Sequence, residues 1–173
     1  MHNESQNETR PPYFPMMIDI HDKDILIIGG GHVAARRAKT LLKCGARVHA
    51  VSPEFTDEFP ECTERITREF RPEDIDSRFM FVIAATDSRE TNQIVHDISK
   101  SENIPVNIAD CQNECDFFSP SLIVHENIAV SVNTAGISSS LTRRLSDRLR
   151  RIWSSWIEEE KREEKREEKR ESL

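Results

Sequence analysis

The sequence predicts an α/β protein built on a doubly wound parallel sheet, followed by a β-hairpin, an amphipathic helix and a charged C-terminal tail. Three observations carry this. Ile25-Leu26-Ile27-Ile28 and Phe79-Met80-Phe81-Val82-Ile83-Ala84-Ala85 are continuous aliphatic and aromatic runs, the pattern of strands buried on both faces of a parallel sheet. Segments of helical spacing alternate with the strand candidates through short connectors, which is the βαβ repeat. After Asp110 the pattern changes to strict alternation around His125-Glu126-Asn127, which marks an antiparallel hairpin.

Taken in order, residues 1–12 are polar and without periodicity, so they read as a mobile tail. Tyr13 to Ile20 is apolar but interrupted by Pro15, which fits a segment along the edge of the sheet. The run at Ile25 leads directly into Gly29-Gly30-Gly31-His32-Val33-Ala34. This is G-x-G-x-x-A: one glycine for a tight turn, a second for close backbone approach to a pyrophosphate, and a small residue where helix and strand pack. A helix follows from about Val33 to Cys44, with Val33, Ala34, Ala38, Leu41 and Leu42 inward and Arg36, Arg37, Lys39 and Lys43 outward. Gly45 stops it, and Arg47 to Ser52 is the next strand. The free N–H groups of the helix start face the glycine turn, where a phosphate is favoured. Strand, glycine turn, helix and second strand on schedule make this a Rossmann-like dinucleotide site. The acid that often follows the second strand to hold the ribose hydroxyls is missing there, where the chain reads Ser52-Pro53-Glu54, and Glu54 serves only if the loop turns back; no arginine is read at that strand end for a 2′-phosphate, so the cofactor expected is NAD.

Glu54 to Glu64 reads as a short helix, Ile66 to Phe70 as a short strand, and Arg71-Pro72-Glu73-Asp74 as a turn into a brief helix. The strand at Phe79 ends in Ala85-Thr86-Asp87-Ser88, whose position beside the glycine turn makes Ala85 and Thr86 cofactor contacts. Ser88 to Ser101 is a helix with Ile94, Val95 and Ile98 at its spacing, capped by Asp87 or Ser88. Ile104 to Asp110 is the next strand. Leu122 to Asn133 forms the hairpin, and Thr134 to Ser140 opens a helix whose apolar stripe is Leu141, Leu145, Leu149, Ile152, Trp153, Trp156 and Ile157. A stripe with two tryptophans reads as a subunit interface. From Glu158 the Glu-Lys-Arg run is either a frayed solvated helix or disorder, since like charges recur every four residues. The divisions expected are a tail over 1–12, a dinucleotide domain over 13–111, a dimerisation and substrate segment over 112–157, and a charged tail over 158–173.

The net charge of −7 argues against nucleic-acid binding. No apolar run reaches membrane-spanning length, and four cysteines without a secretory leader point to a reducing cytoplasm. Cys111-x-x-x-Cys115 has no second pair at ligand spacing, so no metal site is read.

Six motifs in order, Tyr13-Phe14-Pro15, Gly29 to Ala34, Ala84-Ala85-Thr86-Asp87, Asn107-Ile108-Ala109-Asp110, Phe118-Ser119-Pro120-Ser121 and Thr134-Ala135-Gly136-Ile137-Ser138, closely resemble precorrin-2 dehydrogenase, the N-terminal module of siroheme synthases. The resemblance covers about Tyr13 to Arg150. It implies NAD-dependent oxidation of precorrin-2 to sirohydrochlorin on a homodimer. Carried over by position, it assigns the cofactor to Gly29, Gly30, Gly31, His32 and Val33 and to the loop at Ser52, Pro53 and Glu54, and it ties the chemistry to Asp110. On residues alone, Asp110 is either a base at a strand end or an aspartate capping its own turn. Because the implied substrate is a tetrapyrrole polycarboxylate, Asn107, Thr134, Gly136, Ser138, Arg143 and Arg144 are candidate anchors. Some members of the family also insert iron, so sirohydrochlorin ferrochelatase activity is an alternative, and a dinucleotide-sensing module without chemistry is a more distant one. The chain departs from the family where its Glu-Lys-Arg run replaces the usual C-terminal helical lobe.

Overall fold

A computed structural model describes residues 13–62, 64–134 and 138–171. The expected tail over 1–12 and the candidate anchor Gly136 lie outside the described residues. The chain forms two compact units, Asp19–Pro120 and, separately, the residues through Ile18 together with Ser121 onward.

The first unit is a five-stranded sheet. Its elements are β1 (Asp24–Ile28), α1 (His32–Lys43), β2 (Arg47–Ser52), β3 (Glu64–Thr67), β4 (Phe81–Ala84), α2 (Arg89–Ser101) and β5 (Val106–Ile108). All pairings are parallel and the order is β3-β2-β1-β4-β5. The order reverses between β1 and β4, and ligands of open α/β sheets bind outside the carboxyl ends of the strands at such a switch point.

The pleat explains why β1 is aliphatic throughout. Ile25 and Ile27 join Ala34, Ala35 and Ala38 of α1 on one face, while Leu26 and Ile28 join Val95 of α2 and Val106 and Ile108 of β5 on the other. Both faces are covered, so every residue from Ile25 to Ile28 is apolar. Three alanines let α1 lie close on the sheet. The face differs from the one expected for α1, because the helix begins at His32 and Ala34, Ala35 and Ala38 point inward. Val33, expected inside, is 40% exposed, and Arg37, expected outside, is half-buried and reaches β5.

Three other expectations are corrected. Tyr13 to Ile20 forms no strand, and Phe14, Met16 and Met17 are exposed. Pro15 offers no N–H for a ladder, and the edges of the sheet are β3 and β5. Over the expected helix from Glu54 to Glu64, the described residues form none: Phe59 N–H bonds Thr56 O at 2.9 Å in a turn, and Thr56 N–H is spent on Gly30 O at 3.0 Å. That turn brings Phe55 against Phe59, with the Arg65 guanidinium 4.2 Å over the Phe55 ring. The strand expected at Ile66 to Phe70 is β3, ending at Thr67, and Arg68 N–H closes onto Ser52 O at 3.1 Å. Pro72–Asp74 is the brief helix expected after Arg71, a single 3-10 turn.

The second unit is the hairpin β6 (Ser121–His125) and β7 (Ile128–Val132) on the helix α3 (Ser139–Glu171). Glu126 takes the positive φ of the two-residue turn, +50°. The hairpin runs along α3: Arg150 donates to Ser121 Oγ at 3.0 Å, His125 Nε2 meets Glu158 Oε1 at 3.2 Å, and Lys161 pairs with Glu126. The expected apolar stripe is therefore split. Thr142, Ser146, Leu149, Trp153 and Ile157 form a covered row, while Leu141, Leu145, Ile152 and Trp156 remain exposed. The Glu-Lys-Arg run is helical through Glu171, continuing from the turn that Lys161 fastens to the hairpin. Among the described residues no helix is long and apolar enough to cross a membrane.

Candidate functional site: the carboxyl edge of the parallel sheet

The glycine turn connects β1 to α1, and each of its glycines does something different. Gly29 has φ +120°, and a Cβ on it would lie 2.2 Å from the Ala85 carbonyl oxygen. It is the residue that lets β1 and β4 end side by side, with Ala85 N–H on Ile28 O at 2.8 Å and Gly29 N–H on Val51 O at 2.9 Å. Gly30 lies under the β2 loop, where a Cβ would lie 2.0 Å from Glu54 O. Gly31 is the N-cap of α1, with no side-chain cap, and a Cβ there would meet nothing within 4 Å. The open side of Gly31 and the uncapped N–H groups of His32 and Val33 form a cradle for an anion. Ala34, fully buried, closes the helix onto the strand. These are the features a dinucleotide pyrophosphate requires, so the turn fits the cofactor expected from G-x-G-x-x-A.

The loop after β2 folds back over this turn. Ser52 Oγ donates to Glu54 O at 2.6 Å, so Ser52, Pro53 and Glu54 border the cradle, with the Glu54 side chain exposed. His32 is exposed and lies 3.6 Å from Glu58. Sequence reasoning missed Arg68, which β3 delivers beside Ser52. Its guanidinium is engaged by Asp74 through bonds of 2.8 and 2.5 Å. Burial works against ionising Asp74, but the Arg68 hydrogen bonds prevail and hold its carboxyl below the usual range.

Beyond β4, Thr86 is held by Asn92, another residue sequence reasoning missed. Asn92 is fully buried in α2; its Oδ1 accepts from Thr86 Oγ1 at 2.8 Å and Thr86 N–H at 3.3 Å, and its Nδ2 donates to Thr86 O at 3.1 Å. Ser88 caps α2 through Thr91 N–H at 3.1 Å. The ends of β1, β2 and β4 are thus fixed by backbone bonds between the loops and by the Asn92 amide of α2.

At the end of β5, Asn107 is buried and Asp110 is 37% exposed in its side chain. Arg37 of α1 donates to Asn107 Oδ1, and Asn107 Nδ2 donates to Phe117 O at 2.7 Å. Burial pushes the Arg37 guanidinium down to about 10. Asp110 accepts from Arg89 Nη1 at 3.1 Å, and Arg89 also pairs with Glu114. The Glu114 pair raises Arg89, and Arg89 in turn lowers Glu114. Nearby Cys115 is pushed up by burial, and its Sγ accepts from Ile108 N–H at 3.2 Å. The only grouping of three metal-ligating side chains among the described residues is His125, Glu126 and Glu158 in the second unit.

In that second unit, Thr134 and Ser138 are knotted at the start of α3. Thr134 Oγ1 bonds Ser138 O at 3.1 Å and Thr142 Oγ1 at 2.7 Å, and Ser138 Oγ accepts from Leu141 N–H at 3.1 Å as an N-cap. Arg143 and Arg144 are exposed on the following turn. Gly29 to Val33, Ser52 to Glu54, Ala85, Thr86, Asn107 and Asp110 all lie on the first unit, at or near the carboxyl edge of its sheet.

Sheet order, glycine turn and uncapped helix start together define a Rossmann-type nucleotide-binding domain. The chain belongs to the family described as "Putative NAD(P)-binding", whose model matches residues 16–121. Siroheme synthase of Nitrosomonas eutropha is 41% identical over 143 residues, which are 79% of this chain and 30% of that one. The protein of Ruminiclostridium josui named "Probable multifunctional siroheme biosynthesis protein HemA" is 38% identical over 152 residues, 84% of this chain and 29% of that one. The chain thus spans less than a third of the length of these relatives. A solved structure titled "SirC, precorrin-2 dehydrogenase" has the same fold, with a TM-score of 0.69 at 24% identity, over 84% of this chain and 76% of that one.

Proposed function

We propose that this chain catalyses the NAD-dependent dehydrogenation of precorrin-2 to sirohydrochlorin, with Asp110 as the catalytic residue. The observation that carries the reading is the pairing, on one sheet edge, of a glycine turn open at Gly31 with an accessible carboxylate at Asp110 two residues past β5. The similarity to siroheme synthases supports the choice of substrate.

Gly31, His32 and Val33 would hold the pyrophosphate of the dinucleotide, and Ser52, Pro53 and Glu54, with Ala85 and Thr86 beside them, would border its ribose. When bound, it supplies the acceptor for the hydride that aromatisation of the macrocycle releases. The chain's own residues do the rest. Asp110 accepts the proton lost in the same oxidation, and Asn107, buried with its amide bonded to Arg37 and to Phe117 O, braces β5 two residues before Ala109. Asp74 already engages the guanidinium of Arg68, the arginine whose backbone N–H meets Ser52 O, which supports NAD over NADP.

The start of α3, on the second unit, carries Thr134, Ser138, Arg143 and Arg144, a basic and hydroxylated set that suits carboxylates of the kind such a substrate bears. The exposed row Leu141, Leu145, Ile152 and Trp156 supports a homodimer in which α3 packs on its counterpart. Four free thiols support a cytoplasmic location. The test is formation of the sirohydrochlorin spectrum from precorrin-2 with NAD, run beside NADP and beside Asp110→Ala. Turnover that needs Asp110 and favours NAD is expected; nucleotide binding without turnover would reject the reading.

A further inference from the structure

Arg89 occupies a position that its own helix disfavours. It is the first residue of α2, where the partial positive end of the helix opposes a cation, and the helix start is already capped by Ser88. Its guanidinium instead reaches across to the connection after β5. Nη1 donates to Asp110 Oδ1 at 3.1 Å, Nη2 donates to Gln93 Oε1 at 2.5 Å, and Nη2 also pairs with Glu114 at the end of a 3-10 turn, Gln112–Glu114. That connection is otherwise tied to the sheet on the Asp110 side through Ala109 N–H on Ala84 O at 2.9 Å. Arg89 therefore fastens Asp110 and Glu114 to the start of α2, and α2 itself begins shortly after β4 ends.

We propose that Arg89 is a positioning residue for the reaction: by spanning Asp110 and Glu114 it fixes the Asp110 carboxylate at the carboxyl edge of the sheet. This rests on the reading that Asp110 is the catalytic residue. The planar guanidinium suits the task because its two nitrogens take different carboxylates, Nη1 Asp110 and Nη2 Glu114, and so set the place of one relative to the other. Gln93 also accepts from Nη2, so the guanidinium is itself oriented by α2. A carboxylate that must meet one proton of a bound macrocycle loses rate steeply when it is displaced by about 1 Å.

The experiment compares Arg89→Gln and Arg89→Lys in the wild-type and Asp110→Asn backgrounds, all as the full chain. Arg89→Gln lowers kcat by about tenfold or more, while the KM for NAD stays within about twofold, and Arg89→Lys recovers part of the loss. In the Asp110→Asn background the same substitution costs no further rate, since Arg89 acts through Asp110. An equal loss in both backgrounds, or a wild-type kcat for Arg89→Gln beside a slow Asp110→Asn, overturns the role of Arg89 alone. A wild-type rate for Asp110→Asn overturns the Asp110 reading and this proposal with it. Hydrogen exchange tests the clamp without turnover: residues 109–115 exchange faster in Arg89→Gln and recover in Arg89→Lys. Unchanged exchange there overturns the proposal.

Discussion

Alanine at Gly29 and alanine at Gly31 have opposite consequences, although the two glycines share one turn. In Gly29→Ala the new Cβ would sit 2.2 Å from the Ala85 carbonyl oxygen, a backbone atom that cannot swing aside, in a backbone with φ +120°. Ordinary contact begins near 3.4 Å, so the ends of β1 and β4 must separate by more than an ångström. This strains the bonds Ala85 N–H to Ile28 O and Gly29 N–H to Val51 O. The conformation costs about 1–3 kcal/mol, and the overpacking about 1–3 kcal/mol more. The total, about 2–6 kcal/mol, is a large part of a typical domain's stability. In Gly31→Ala the Cβ meets nothing within 4 Å and φ is −76°, so the fold loses about 1 kcal/mol or less through the weaker N-cap. What the methyl group occupies is the approach path of the pyrophosphate. Urea unfolding and calorimetric titration with NAD separate the two effects. Gly31→Ala is expected to unfold near the wild-type midpoint and bind NAD at least about tenfold more weakly, a change of about 1.4 kcal/mol. Gly29→Ala is expected to unfold at markedly lower urea. Wild-type NAD affinity in Gly31→Ala, or a wild-type midpoint in Gly29→Ala, would refute the division of roles.

Further predictions concern the polar bonds that hold the site. Asn92→Leu leaves the Thr86 N–H, hydroxyl and carbonyl without their buried partner and is expected to cost about 2–4 kcal/mol in denaturant unfolding. Asp74→Asn releases Arg68 beside Ser52, so the ratio of NADP to NAD affinity is expected to rise by about tenfold in parallel titrations; an unchanged ratio would contradict the account of cofactor choice. Acid stability follows from Asp24, whose carboxyl is held well below the usual range first by the Arg47 hydrogen bond and then by His49. Its folded pKa lies below its unfolded value of about 3.9, so this contribution is present above that pH and is lost as pH falls below it. Thermal unfolding followed from pH 6 downward is expected to show a shallower acid loss in Asp24→Asn than in wild type.

Much of the fold was legible because burial on two faces writes an unbroken apolar run. Ile25 to Ile28 and Phe81 to Ala84 are strands for that reason, and Gly29-Gly30-Gly31 announces the turn between β1 and α1. The orientation of α1 was less legible: Val33 and Arg37 exchange their expected sides because three small alanines, not the largest apolar residues, decide which face meets the sheet. The segment after β2 was misread because Phe55 and Phe59 have helical spacing, whereas the Thr56 N–H is used by Gly30. Arg89 with Asp110, Arg37 with Asn107 and Asn92 with Thr86 were not legible at all. These pairs join separate elements, and no periodicity in the chain marks which polar residue will face which. The stripe of α3 was visible, but its division into a covered and an exposed row depends on where the hairpin lies.

The most direct measurement is the reaction itself: purified protein, precorrin-2 and NAD, with the absorption spectrum followed over time and Asp110→Ala in parallel. The account predicts that sirohydrochlorin appears with the wild-type chain, more readily with NAD than with NADP, and fails to appear above background with Asp110→Ala. NAD binding with no sirohydrochlorin formed, or equal turnover by Asp110→Ala, would contradict it.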